Sequence, residues 1–326
     1  MRAVRIGEFN GVDDVAVRDI DAPRPGRDEA LVRVRAAGVN RADLLQAAGR
    51  YPPPIGYSPN LPGLEFAGEI VELGEGAPGF ALGDRVFGIA AGHAQAELLV
   101  SHTSLLAAIP ENLSYTEAGG IPEVYITAHD AVFTQNELKK GETLLIHAVA
   151  SGVGLAALDL AAAAGARVIG TSRTAEKIER LSELGLENGI VTADGKFSEE
   201  VLALTEGHGA DVILDLVGAG YFAENIASLA QKGRLSVVGL TSGTKAEIDL
   251  GVILRKRASI RGTALRARSL EEKAAATENF IREVVPLLDS GAAKPHLDRV
   301  FMLEDVREAF RFLASNKSIG KIVLEI

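Results

Sequence analysis

Ser151-Gly-Val-Gly154 places a hydroxyl and two glycines between an apolar run, Thr143-Leu-Leu-Ile146, and the alanine-rich segment that begins at Leu155. A strand, a glycine-containing turn and a helix in that order aim helix N-terminal amides at an anion, the arrangement that cradles the pyrophosphate of a dinucleotide. The usual spacing is G-x-G-x-x-G, and in the register that keeps Gly154 as the last glycine, Val149 and Ser151 stand at the first two. Gly154 keeps the close packing of helix on strand. The turn is therefore expected to be looser, with Gly152 in any left-handed position and Ser151 capping the helix. An ordinary strand–turn–helix unit has the same outline, so the loop alone leaves both readings open.

The choice of cofactor falls to the end of the next strand, where an acid takes the ribose 2′-hydroxyl of NAD. Ser172 stands there, in Gly170-Thr-Ser-Arg-Thr-Ala-Glu-Lys177. Ser172, Arg173 and Lys177 offer a hydroxyl and two cations, with Lys177 one turn beyond Arg173, a set that suits the 2′-phosphate of NADP. A solvated helix start, with Glu176 among the cations, is the bland alternative.

These residues need a scaffold, and the chain between about 143 and 265 supplies one. Strand candidates are Leu144–His147, Arg167–Gly170, Gly189–Thr192, Asp211–Val217, Leu235–Gly239 and Ser259–Gly262, with helix candidates at 153–164, 174–184, 198–206, 221–231 and 249–256 between them. That alternation predicts a doubly wound α/β fold on a parallel sheet of six strands, which binds its ligand at the strands' carboxyl ends. Residues 1–120 show alternating runs such as Ala30-Leu-Val-Arg-Val-Arg35, broken by Pro and Gly, and read as an antiparallel β-rich unit. After 265, a helical stretch at 269–289, a strand near Arg299–Met302, a helix at 304–314 and a last strand Lys321–Ile326 are expected to rejoin the first unit.

Composition narrows the chemistry. The 326 residues contain no cysteine, so disulfides, thiolate zinc sites and cysteine nucleophiles are excluded. A net charge of −10 counts against nucleic acid as a partner. No apolar segment reaches the length of a membrane span and the N-terminus lacks a signal-peptide core, so a cytoplasmic enzyme is expected.

The ordered set Asn40-Arg-Ala-Asp-Leu-Leu-Gln46, Gly49-Arg-Tyr-Pro-Pro-Pro54, Leu61-Pro-Gly-Leu-Glu-Phe-Ala-Gly68, Gly83-Asp-Arg-Val86, the loop 147–154 and Asn316-Lys-Ser-Ile-Gly-Lys-Ile-Val-Leu-Glu325 resembles the quinone oxidoreductase (zeta-crystallin-like) branch of the zinc-independent medium-chain dehydrogenase/reductase superfamily. The resemblance implies a GroES-like catalytic domain at 1–122 and 266–326, with a Rossmann NADP-binding domain at 123–265. Zinc-dependent members have a cysteine where this chain resembles them at Asn40, and Gly-His-Glu where it has Gly63-Leu64-Glu65. Without a Lewis acid to polarise an alcohol, what remains is hydride donation from NADPH to an acceptor already electrophilic, a quinone or an activated alkene.

By carry-over, Asn40 and Tyr51 lie beside nicotinamide and acceptor, where the Tyr51 ring and hydroxyl suit a flat carbonyl compound. A loop anchor in Tyr51-Pro-Pro-Pro54 is the alternative for Tyr51. Thr127 resembles the family threonine near the nicotinamide, although a lone threonine is also a common helix back-bonder. Ala150, Ser151, Gly152 and Val153 would face the pyrophosphate. Gly239, Leu240, Leu265 and, beside it, Arg266 would approach the nicotinamide. Many relatives carry a tyrosine that assists the 2′-phosphate where this chain resembles them with Thr192, which keeps a hydroxyl without the aromatic reach. His147 reads as a satisfied strand-end histidine, and Arg255-Lys-Arg257 as a solvated helix end.

The readings in competition are an NADPH:quinone reductase, an NADPH-dependent enoyl or alkenal reductase, and a non-catalytic, crystallin-like nucleotide-binding protein. Relatives are commonly dimers or tetramers that extend the Rossmann sheet, which marks Leu235–Leu240 through Ile260 as the strip for self-association.

Overall fold

The period-two runs of the N-terminal third form strands, as their alternation requires. The computed structural model describes residues 1–326. In chain order they give β1 (Arg2–Ile6), β2 (Val15–Asp19), β3 (Glu29–Val39), α1 (Arg41–Ala47), β4 (Glu65–Leu73), β5 (Arg85–Ile89), β6 (Leu98–His102), β7 (Leu106–Ala108), α2 (Tyr115–Ala118) and α3 (Pro122–His129). The middle of the chain contributes β8 (Thr143–Ile146), α4 (Gly152–Ala163), β9 (Arg167–Ser172), α5 (Ala175–Glu183), β10 (Asn188–Val191), α6 (Ser198–Leu204), β11 (Ala210–Asp215), α7 (Phe222–Ser228), β12 (Leu229–Val237), α8 (Leu250–Lys256) and β13 (Ser259–Gly262). The tail adds α9 (Leu270–Glu283), α10 (Val285–Asp289), β14 (Leu297–Met302), α11 (Val306–Ala314) and β15 (Lys321–Glu325).

The chain divides into two units. The first comprises Met1–Ile126, Leu265–Gly291 and Pro295–Ile326. It is built on a seven-stranded sheet in which β14, β15, β3, β4, β5 and β7 follow one another and β6 also pairs with β3. The tail does return to this unit: Ile322 to Glu325 on β15 run antiparallel to Val39 to Ala36 on β3. That pairing sets the end of β3, and hence the start of α1, against the C-terminal strand. Phe66, Ile70, Val86 and Leu106 fill one core of the unit, and Phe310 on α11 packs with Val4, Ile6 and Leu324 in another.

The second unit comprises Thr127–Ala264 and Ala292–Lys294. Its six parallel strands lie in the order β10-β9-β8-β11-β12-β13, reversing direction between β8 and β11, as in a doubly wound sheet. Ligands of such sheets sit beyond the carboxyl ends at that reversal, where the loop after β8 leads into α4. No helix is long and apolar enough to cross a membrane.

Two expectations about elements change. The helix expected at 221–231 stops at Ser228, because Leu229 already enters β12, whose residues 210-paired end lies beside β11. The stretch 269–289 is two helices broken at Val284, with Pro286 opening the second, since proline lacks the N–H that a continuous helix needs there.

Candidate functional site

In the second unit, β8 ends in a tight turn whose left-handed residue is Ala148, at φ 46°, not Gly152 as the sequence suggested. Gly152 instead begins α4 with ordinary helical geometry, so the turn is made one strand-end earlier. Ser151 caps the helix, its Oγ accepting from Gly154 N at 3.2 Å. A side chain at position 154 would meet Val149 Cα at 2.6 Å and Ala148 O at 2.8 Å, so the packing assigned to that glycine is required by the backbone's closeness. The amides of Gly152 and Val153 pair with nothing in the chain, and they lie at the positive end of a 12-residue helix. Val149 and Ala150 are buried beneath the turn, while Ser151, Gly152 and Val153 are partly open.

Ser172 ends β9 and its hydroxyl makes no hydrogen bond; Arg173 follows it, exposed and without an ionic partner. Lys177 lies on α5, partly buried. Thr192 is buried, with its Oγ1 2.6 Å from the Tyr221 hydroxyl and 3.3 Å from Ser172 O. A tyrosine hydroxyl thus reaches this strand end from the turn before α7, a feature with no signature in the spacing around Thr192. Gly239 lies just past β12, where a side chain would meet Leu216 O at 2.4 Å, and Leu240 beside it is exposed. Thr127 stands on α3, partly buried.

Below the loop, His147 is fully buried and doubly satisfied. Asn225 donates to Asp215 Oδ2 at 3.0 Å, so its Oδ1, 2.5 Å away, accepts from His147 Nε2, and Nδ1 takes the Thr171 hydroxyl at 2.9 Å. Burial lowers the His147 pKa to about 4, so the ring is neutral and structural, as the sequence suggested.

The first unit gathers a second constellation. Asn40 precedes α1, and its amide is held at both ends: Nδ2 donates to Glu65 Oε1 at 2.9 Å, and Oδ1 accepts from Lys321 Nζ at 2.7 Å. Lys321 begins β15 and spends its other donors on Glu65 Oε1 at 2.6 Å and Val39 O at 3.1 Å. Glu65 is fully buried, and its Oε2 accepts the backbone N–H of Glu123 at 2.9 Å. A side chain at Gly38 would overlap the Glu65 carboxylate, so β3 must carry glycine there.

Asp43, in the first turn of α1, accepts from Asn40 N at 2.8 Å, Gly63 N at 3.1 Å and Gln95 Nε2 at 3.2 Å. Burial pushes its pKa up to about 6 against those hydrogen bonds. Arg266 is buried and ties three segments together, donating to Ala91 O at 2.8 Å, Tyr51 O at 3.1 Å and Gln46 Oε1 at 2.6 Å. Its guanidinium lies over the Tyr51 ring at 5.1 Å, while the Tyr51 hydroxyl makes no hydrogen bond. Burial raises the Tyr51 pKa, with the Glu123 charge adding to it. Leu265, beside Arg266, belongs to this first unit and is buried.

Asn40 and Tyr51 therefore join one network through Glu65, Glu123 and Arg266. Glu65, Lys321, Asp43 and Glu123 were not singled out individually from the sequence. Their signal is a charge inside an apolar run, as in Leu64-Glu-Phe-Ala67 and Ile121-Pro-Glu-Val124, but it does not reveal which charges meet.

A GroES-like unit with this cluster and a doubly wound unit with that loop define the medium-chain dehydrogenase/reductase class. Residues 26–137 match the alcohol dehydrogenase GroES-like domain family, and residues 152–281 the zinc-binding dehydrogenase family. Mus musculus quinone oxidoreductase-like protein 2 is 34% identical over 309 residues, which span 94% of this chain and 87% of that protein. Among solved structures, Escherichia coli quinone oxidoreductase complexed with NADPH superposes with a TM-score of 0.89 at 26% identity, covering 100% of both chains. The apo JamJ enoyl reductase superposes with a TM-score of 0.90 at 27% identity, covering 99% of this chain and 98% of that one. The chain belongs to the quinone oxidoreductase branch of the medium-chain dehydrogenase/reductase superfamily, and is an oxidoreductase of that superfamily.

Proposed function

We propose that the chain is an NADPH:quinone reductase that works without a metal. The observation that carries the cofactor is the end of β9, where the Ser172 hydroxyl and the Arg173 guanidinium are unpartnered and no carboxylate stands. A 2′-phosphate satisfies both groups, whereas a 2′-hydroxyl leaves the Arg173 guanidinium without an anion. Lys177 and Thr192 complete this end of the reading. The free amides of Gly152 and Val153, with Ala150 and Ser151 shaping the turn, suit the pyrophosphate. Thr127, Gly239, Leu240 and Leu265 are the contacts we assign to the nicotinamide. Bound there, NADPH supplies the hydride.

Asn40 and Tyr51 are the residues we assign to the acceptor. Asn40 is held rigid by Glu65 and Lys321, and the Tyr51 hydroxyl is free to donate to a carbonyl oxygen. The metal-free reading is supported by the ammonium of Lys321, which already draws the oxygens of Asn40 and Glu65; a second cation beside it meets Coulomb repulsion. The similarity to the JamJ enoyl reductase favours an activated alkene as the second acceptor reading. A cytoplasmic setting and a small-molecule acceptor go with both. The reading includes a homodimer or homotetramer formed along β13, whose four residues are all exposed.

The test is consumption of NADPH and NADH against a panel of ortho- and para-quinones and conjugated enones. Turnover of quinones with preference for NADPH is the expected result. Faster turnover of enones selects the alkene reading, and NADPH binding without turnover of any acceptor would sink the reductase in favour of a non-catalytic nucleotide-binding protein.

A further inference from the structure

Every hydride added to a carbonyl acceptor leaves an oxyanion, or an enolate, that must be protonated. Glu123 stands at the second position of α3, tied to the cluster by its backbone N–H on Glu65 Oε2 at 2.9 Å. Its carboxyl makes no hydrogen bond or ion pair, unlike those of Asp43 and Glu65. Two of the cations around it bond to other groups. All three donors of Lys321 go to Glu65, Asn40 and Val39, and Arg266 directs its hydrogen bonds to Ala91, Tyr51 and Gln46. Lys273 on α9 is buried and also lacks a hydrogen-bonded partner.

We propose that the Glu123 carboxyl, the unpaired acid of this cluster, is the proton donor to the reduced acceptor. The inference rests on the reductase reading above. The acceptor gains a hydride from NADPH, which leaves as NADP⁺; the resulting oxyanion takes the Glu123 proton as the carboxyl O–H bond breaks, and the carboxylate is reprotonated from water. The net reaction consumes one solvent proton. Burial and four charged groups set the protonation of Glu123. Burial acts first and Glu65 next, both raising its pKa; Lys321 lowers it, Asp43 raises it, and Arg266 lowers it. Lys273 senses the Glu123 charge in turn. The outcome is a carboxyl pushed up to about 8, protonated at neutral pH and able to give its proton away.

The sign is fixed by chemistry: donation needs the protonated form, so turnover holds below that value and falls above it. The experiment measures kcat against pH for the wild type, Glu123→Gln and Glu123→Asp, with a quinone and with an enone. The same three proteins are examined by infrared titration of the protonated carboxyl stretch without substrate. The wild type should show an alkaline limb and a carboxyl band that both titrate near pH 8. Glu123→Gln should lose the band and the limb and drop kcat about 100-fold while binding NADPH normally. Glu123→Asp, which withdraws the acid by one methylene, should keep the limb at reduced rate. Full rate with an unchanged limb in either variant overturns the donor alone, since the wild type still reduces its acceptor. A wild type that reduces no quinone or enone overturns the reductase reading and the donor with it.

Discussion

At the residue scale, the proposed choice of cofactor rests on side chains readable from spacing, because a strand end recurs at a set distance from the loop. Ser172 and Arg173 fall where that spacing puts them, and their side chains are unpaired. Arg173→Ala should weaken NADPH by about 1–2 kcal/mol, the worth of one charge-assisted contact, and leave NADH nearly unaffected. Fluorescence titration with both nicotinamides checks this, and equal losses contradict the assignment. Asn40 and Tyr51 were legible only as family positions. The carboxyl of Glu123 was not legible at all, since its character comes from Glu65, Asp43, Lys321 and Arg266, which are distant in sequence and meet only in the fold. The same shift has a folding consequence. Between the ordinary value of 4.5 and about 8, the folded protein holds a proton that the unfolded chain has lost, so this group's contribution to stability falls as pH rises through that window.

At the element scale, the parallel sheet was legible because β-branched runs alternate with helical segments, and its six strands appear where the pattern puts them. The turn after β8 was misread in detail. Glycine is the residue best suited to positive φ, yet Ala148 takes that conformation while Gly154 is required for closeness to Val149. Below that turn, Asp215 at the end of β11, Asn225 on α7 and His147 after β8 form one buried chain of hydrogen bonds. Asn225→Ala leaves a carboxylate and an imidazole without their shared partner, and should cost about 2–4 kcal/mol in urea denaturation. A loss under 1 kcal/mol would mean that water replaces the amide.

At the scale of the whole molecule, β13 ends the six-stranded sheet with an unpaired edge, and Leu250 and Leu254 on α8 are 71% and 78% exposed nearby in sequence. An edge of this kind, with Ile260 also open, favours pairing with a second copy. Ile260→Lys combined with Leu254→Asp should convert the proposed oligomer to a monomer in light scattering after gel filtration; a monomeric wild type contradicts the reading.

The sequence by itself determined the doubly wound unit, the absence of thiol chemistry and the cations at the end of β9, because these follow from local periodicity, composition and fixed offsets along one strand–helix unit. Only the tertiary structure decided that Lys321, some 280 residues from Asn40, lies between Asn40 and Glu65, and that Glu123 keeps an unpaired carboxyl beside them. Burial and charge pairing depend on which distant segments meet, and no spacing along the chain encodes that.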